Sequence, residues 1–160
     1  MGTGATYEGL KTFKFGDSPT LADRLAALVV AGVKTGTCYA AVHGPESEIG
    51  ERQVCLGSAG QPLCEIETVD LKTLRFDAVT PEMAAQEGEG DLSYRYWRDV
   101  HQAYYEREGT WTPDMEVIFE TFRVTRILND DFAATAEKEV KSERAEAYAK
   151  GYTALGASHG

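Results

Sequence analysis

The sequence contains no long hydrophobic run. Nothing in it approaches the roughly 18 consecutive apolar residues that a bilayer-spanning helix requires, so no membrane association is expected. The opening stretch, MGTGATYEGL, has neither a basic segment nor an apolar one. No secretory leader is expected, and the expected location is cytoplasmic. Cysteine is sparse: Cys38, Cys55 and Cys64 form an odd set with no CxxC pair. Each falls in a strand-like run, so reduced core thiols are expected rather than a disulfide framework. Histidine and cysteine lack the spacing of zinc ligands, and no metal site is expected. Positive charge is also short, with 16 Lys and Arg against 26 Asp and Glu and a net charge of −10. Tight non-specific binding to a phosphate backbone needs clustered cations. DNA is therefore not an expected partner, although a small basic site on an acidic body fits the totals. Phosphate-loop, dinucleotide-binding, GxSxG and HExxH motifs are all missing.

What is present suits one domain of 160 residues with a single sizeable core. TFKF (12–15) reads as a short strand. GDSPTLADRLAALVVAG reads as a helix, with Ser18 as N-cap, Pro19 in the first turn, Leu21, Leu25, Leu28 and Val29 on one face, and Gly32 just past the end. TGTCYAAV (35–42), RQVCLG and PLCEIETVDL read as strands, and KTLRFDAV as another. In PLCEIETVDL, Cys64, Ile66 and Thr68 share one face, which leaves Glu65 and Glu67 on a wet one. Thr80-Pro81 opens a short helix, and Asp91 is the expected cap of a longer one. That helix carries two stripes, Leu92/Tyr96/Val100/Tyr104 and Trp97/His101/Tyr105. MEVIFETFRVTRIL (115–128) reads as a strand and 130–150 as a helix with a thin apolar face. The order predicts an α+β fold, mostly antiparallel and curled into a small barrel.

Two segments could carry chemistry. In GVKTGTC (32–38), Lys34 lies just past a helix end, three residues before Thr37. One reading is a cation placed against the negative end of a helix dipole. The other is a desolvated amine that takes a proton from the Thr37 hydroxyl or from a water. In QEGEGD (86–91), Glu87 and Glu89 flank a glycine before a helix. They read either as a solvated acidic connection or as a carboxylate delivered into a cleft. Periodicity does not choose between the two glutamates. Trp97, His101 and Tyr105 read as core, or as an aromatic wall on which a base stacks.

Taken in order, FGDSPTLADRLAALVVAGVKTGTC, PLCEIETVDL, EGEGDLSYRYWRDVH and EVIFETFRV resemble the ASCH domain family from about Phe15 to about Ile127. The resemblance implies a PUA-like fold, a small β-barrel with flanking helices and a cleft beside it. It divides the chain into a flexible start (1–10), an ASCH domain (11–128) and a helical extension with a disordered end (129–160). Function within the family is divided. Some members resemble amidohydrolases that deacylate N4-acylated cytidines; others are linked to RNA binding or RNA cleavage. For the first group the resemblance implies a catalytic set of Lys34, Thr37 and Glu89, with Glu87 close behind Glu89. Glu87, Tyr39 and Trp97 are then expected to line the substrate pocket.

The scheme this implies starts from a neutral Lys34, which activates Thr37 or a water for attack on the acyl carbonyl. Glu89 hands a proton to the departing amine, and backbone N–H groups of residues 35–37 hold the oxyanion. It calls for no cofactor, and its partner is a small nucleoside or nucleobase. The competing reading, an RNA-binding module or ribonuclease in the same cleft, would use Lys11, Lys14, Lys34, Lys72, Arg75, Arg95 and Arg98. These cations are scattered through an acidic sequence.

Overall fold

The computed structural model describes residues 2–16 and 18–152. Their order is β1 (Gly2–Tyr7), β2 (Leu10–Phe13), α1 (Pro19–Val30), β3 (Gly36–Ala40), β4 (Arg52–Leu56), β5 (Pro62–Arg75), α2 (Pro81–Gln86), α3 (Tyr94–Glu108), β6 (Glu116–Ile127) and α4 (Asp130–Ala149). The fold is α+β, as expected. The strands form one sheet in the order β1-β2-β4-β5-β6-β3, in which the β2–β4 pair is parallel and the β1–β2, β4–β5, β5–β6 and β3–β6 pairs are antiparallel. The expected frayed start is instead β1, which pairs antiparallel with β2. The expected disorder of the last residues falls outside the described ones.

The sheet curls without closing, because β3 and β1 lie at opposite edges. Register shifts in β5, between Glu65 and Ile66 and between Thr68 and Asp70, bend the ladder. A closed barrel of this size would fill its interior with side chains. Here β2, β4, β5, β6 and β3 all send residues to the wall of one cavity of about 780 Å³.

Two apolar clusters flank it. The first packs Leu25, Ala26, Leu28 and Val29 of α1 against Phe13, Cys55, Leu63, Cys64, Ile66 and Phe122 of the sheet. The second packs Trp97 and Tyr105 of α3 against Cys38, Ala40, Val117 and Phe119, with Phe76 between them. Helix α1 begins as its punctuation demands: the Ser18 hydroxyl accepts from the Leu21 N–H and Pro19 occupies the first turn. Such a cap stabilises a helix by about 1 kcal/mol.

Helix α3 starts later than expected. Ser93, not Asp91, is the N-cap, because Leu92 adopts φ 72° and the Asp91 carboxylate instead accepts from the Ser93 N–H. The buried face is the Trp97/His101/Tyr105 stripe, whereas Leu92 and Val100 are exposed. Glu65 also departs from its expected wet face. It is buried, with Oε2 accepting from Thr125 Oγ1 at 2.7 Å and Oε1 from Arg126 at 3.0 Å.

Candidate active site

Lys34 is placed by the way α1 stops. Gly32 takes φ +82°, and its N–H donates to Val29 O. The amides of Val33 and Lys34 both donate to Leu28 O, at 3.0 Å each. This left-handed stop folds the chain back under the helix end and carries Lys34 inward. The Thr35 N–H then donates to Gln86 O at 2.8 Å, which pins the turn to the end of α2. Gly88 sits so close that a Cβ there would lie 2.4 Å from Val33 O. At φ +71° and with that separation, only glycine fits. These contacts press the GVKT turn against the EGEG turn.

The result is a buried charge cluster. The Lys34 side chain is 1% exposed and runs over the Phe15 ring, 5.7 Å from its centroid. Its ammonium donates to Glu89 Oε2 at 2.7 Å, Gly36 O at 3.0 Å, and both Oε1 and the backbone O of Glu87 at 3.3 Å. Glu87 is as deeply buried. Its Oε2 accepts from Trp97 Nε1 at 2.6 Å and lies 3.2 Å from His101 Nε2. His101 Nδ1 is 2.9 Å from Trp97 O, and its ring stacks on Trp97 with centroids 4.6 Å apart.

The two carboxylates are driven in opposite directions. Burial raises Glu87, but His101, Lys34 and Trp97 outweigh it, and its pKa falls to about 2. For Glu89, burial outweighs Lys34, and repulsion from Glu87 adds to it, so the pKa lies above the usual carboxylate range. Burial pulls Lys34 down, yet the two carboxylates more than reverse this and hold the ammonium charged. His101 is raised in the same way by Glu87. A neutral Lys34, as the sequence led one to expect, does not match this environment. Carboxylates with pKa values pushed apart in one pocket are a mark of divided acid and base roles.

The structure brings some of the candidate residues together and separates others. Thr37, Tyr39, Glu87 and Glu89 all line the cavity. Thr37 is not among the hydrogen-bond partners of Lys34, and Glu89 stands at the border between the ammonium and the cavity. Trp97 is not a pocket wall. It is 2% exposed, packs between Phe76 and His101, and spends its N–H on Glu87. The Thr35 N–H is occupied by Gln86, which removes it from the expected oxyanion donors. The Tyr39 hydroxyl accepts from the Glu46 N–H at 3.1 Å, and burial raises its pKa to about 12.

Two residues escaped the sequence reading. His101 is a buried ring stacked on Trp97, as the core reading has it, but its 3.2 Å pairing with Glu87 was not foreseen. Glu120 lies directly across the β3–β6 ladder from Thr37, lines the cavity, and accepts from Thr68 Oγ1 at 2.8 Å. A signal for it existed: Glu120 lies between Ile118 and Phe122 on one face of the strand, and an acid between two apolar residues there must have a partner or a purpose.

Comparison with known proteins bears on the fold and the family. The ASCH domain model matches residues 11–126. The crystal structure of an ASCH domain from Lactobacillus crispatus JV V101 superposes with a TM-score of 0.68 at 28% identity, covering 72% of this chain and 79% of that one. Protein EF3133 from Enterococcus faecalis V583 gives 0.65 at 26% identity, covering 74% and 81%. No curated protein matches. Helix α4 lies beyond the matched residues. With its PUA-like α+β fold and a domain match over most of its length, the chain belongs to the ASCH domain family.

Proposed function

We propose that this protein is an amidohydrolase that removes the acyl group from the exocyclic amine of an N4-acylated cytosine or cytidine. The observation that carries the reading is the Lys34–Glu89 pair at the edge of a cavity whose wall also presents Thr37. A cavity of about 780 Å³ is of a size to take a nucleoside with its acyl group. Phe13, Phe15, Phe122 and Tyr39 offer it apolar and aromatic surface.

In this reading Glu89 is the base. It takes a proton from the Thr37 hydroxyl, or from a water that Thr37 holds, and the freed oxygen attacks the acyl carbon. The carbonyl π pair moves onto oxygen, where the nearby Lys34 charge stabilises it. Collapse re-forms the carbonyl and breaks the C–N bond, and the proton on Glu89 passes to the departing amine. If Thr37 itself attacks, a water cleaves the resulting ester with Glu89 again as base. Either route consumes one water and yields cytidine and a carboxylic acid. Lys34 acts as a fixed cation that holds Glu89. Glu87, engaged by Lys34, Trp97 and His101, is a positioning residue.

The lining counts against a polyanion in the same cleft. Lys11 and Arg107 share the wall with Glu46, Glu108 and Glu120, so no continuous cationic track runs through it. The test is hydrolysis of N4-acetylcytidine, followed by ultraviolet absorbance, for wild type, Glu89→Gln and Thr37→Val. Turnover by wild type that falls about 10²- to 10⁴-fold in Glu89→Gln supports the reading. No turnover of acetyl, benzoyl or free-base substrates by wild type sinks it. Single-stranded RNA binding across a salt series would then be measured.

A further inference from the structure

We propose that α4, which lies outside the residues matched by the family model, is part of the site: Arg144 and Glu143 are positioning residues that hold the Glu89 turn against Lys34. The role of Glu89 rests on the reading above; the contacts themselves do not.

Glu89 sits between Gly88 and Gly90, both at positive φ (71° and 62°). Two such residues in succession around one side chain leave the turn without a helix or strand ladder of its own. Local bonds take the Gly88 N–H (to Ala85 O, 3.0 Å) and the Glu89 carbonyl (from the Leu92 N–H, 3.1 Å), and α4 binds the remaining Gly88 and Gly90 groups. One guanidinium nitrogen of Arg144 donates to both Gly88 O and Gly90 O, at 2.7 Å each. From the same helix, Glu143 Oε2 accepts from the Gly90 N–H at 2.8 Å. The turn is thus held on both sides of Glu89, by a donor on its carbonyls and an acceptor on its amide. All three are charge-assisted bonds, which are shorter and stronger than neutral ones.

The helix that does this is itself anchored to the domain. Arg24 of α1 donates to Glu139 at 3.0 Å and to Glu143 and Glu146 at 2.9 Å. Glu143 therefore bridges α1 and the Glu89 turn with its two oxygens. Ala136 and Ala147 are buried, and Phe132 and Val140 pack on the first cluster. Beyond α4, the Tyr152 hydroxyl donates to Asp99 of α3, and its ring meets Tyr96 edge-on at 5.1 Å. The extension spans α1, the turn and α3. An arrangement of this kind fixes a base by its backbone, where a displacement of 1 Å is enough to reduce a rate about 10²-fold.

The experiment compares the full-length wild type with Arg144→Ala and Arg144→Lys, each checked for folding by circular dichroism. Two quantities are read: the NMR titration of the Glu89 side-chain carboxyl with amide exchange at Gly90, and kcat and KM on N4-acetylcytidine. In Arg144→Ala, the Gly90 amide is expected to exchange at least about 10-fold faster and the Glu89 titration to move. The kcat is expected to fall about 10- to 100-fold with KM nearly constant. Arg144→Lys, which keeps a cationic donor, is expected to recover part of each loss. Unchanged Gly90 exchange and Glu89 titration in a folded Arg144→Ala protein would overturn the proposal. If wild type shows no turnover, the hydrolase reading fails, and the NMR quantities still decide whether α4 holds the turn. If Arg144→Ala does not fold, the same readouts on Arg144→Lys decide it: wild-type values there overturn it, and partial losses support it.

Discussion

Replacing Lys34 by Met keeps a stem of similar length against Phe15 and deletes only the ammonium. The buried Glu87 and the partly buried Glu89 then lose their shared cation. Glu87 retains Trp97 and His101, but Glu89 loses its strong 2.7 Å partner. Breaking a buried ion pair from one side costs about 3–5 kcal/mol. In a domain of 160 residues, at about 2–4 °C per kcal/mol, that lowers Tm by about 6–20 °C. The loss has a pH signature. Glu89 is already raised by burial and by Glu87; without Lys34 it rises further. A folded state that binds a proton the unfolded chain lacks becomes less stable as pH climbs from the unfolded pKa through the folded one. The variant is therefore destabilised more at pH 8 than at pH 5. Adding Glu89→Gln, which removes the orphaned charge, returns part of the stability at pH 8. Urea denaturation of wild type, Lys34→Met and the double variant at both pH values measures all of this. A loss under about 1 kcal/mol at pH 8, or an equal loss at both pH values that Glu89→Gln does not relieve, refutes the reasoning.

Trp97→Phe keeps a ring between Phe76 and His101 but removes the N–H that Glu87 accepts at 2.6 Å. It is expected to cost about 1.5–3 kcal/mol in urea melts, with KM for the nucleoside unchanged because the ring is not a pocket wall. Tyr39→Ala, by contrast, is expected to raise KM several-fold with folding intact. Gly88→Ala places a Cβ 2.4 Å from Val33 O at φ +71° and should lower stability by at least about 1–3 kcal/mol, read by thermal denaturation. Glu87 is held at about 2, so its contribution is present above its ordinary value of 4.5 and is lost as pH falls toward 2. That acid limb is on the order of 3 kcal/mol and should vanish in Glu87→Gln, as measured by urea melts between pH 2 and 5.

Local chemistry made parts of this molecule readable. The start and stop of α1 are each decided within a few residues, by Ser18, Pro19 and Gly32, so the position of Lys34 beyond the helix followed from the sequence. Its burial did not, because that depends on Gly88 approaching Val33 from 55 residues away. The choice between Glu87 and Glu89 was invisible for a related reason. Both sit in a turn with no period and both reach the cavity, and only their neighbours separate them: Glu87 is held by Trp97 and His101 of α3 as well as by Lys34, and Glu89 is paired with Lys34. Helix α3 was misread by two residues because Leu92 takes a conformation rare for its type. Glu65 looked solvated because strand alternation says nothing of Arg126 and Thr125 closing over it. The docking of α4 escaped notice because it is polar: Arg24 and Arg144 do the work usually read from an apolar stripe.

The three cysteines turn the fold into its own reporter. Cys55 and Cys64 face each other across β4 and β5 with no exposed surface, while Cys38 lines the cavity beneath Tyr105. Burial raises the Cys38 thiol; for Cys55 the larger influence is Cys64, with burial adding to it, so neither offers much thiolate to a reagent from outside. Alkylation at Cys38 is expected to time the loosening of the Tyr105 contact over its thiol, and alkylation at Cys55 and Cys64 the parting of β4 from β5. One labelling experiment on the unaltered chain separates the breathing of its site from the unfolding of its frame.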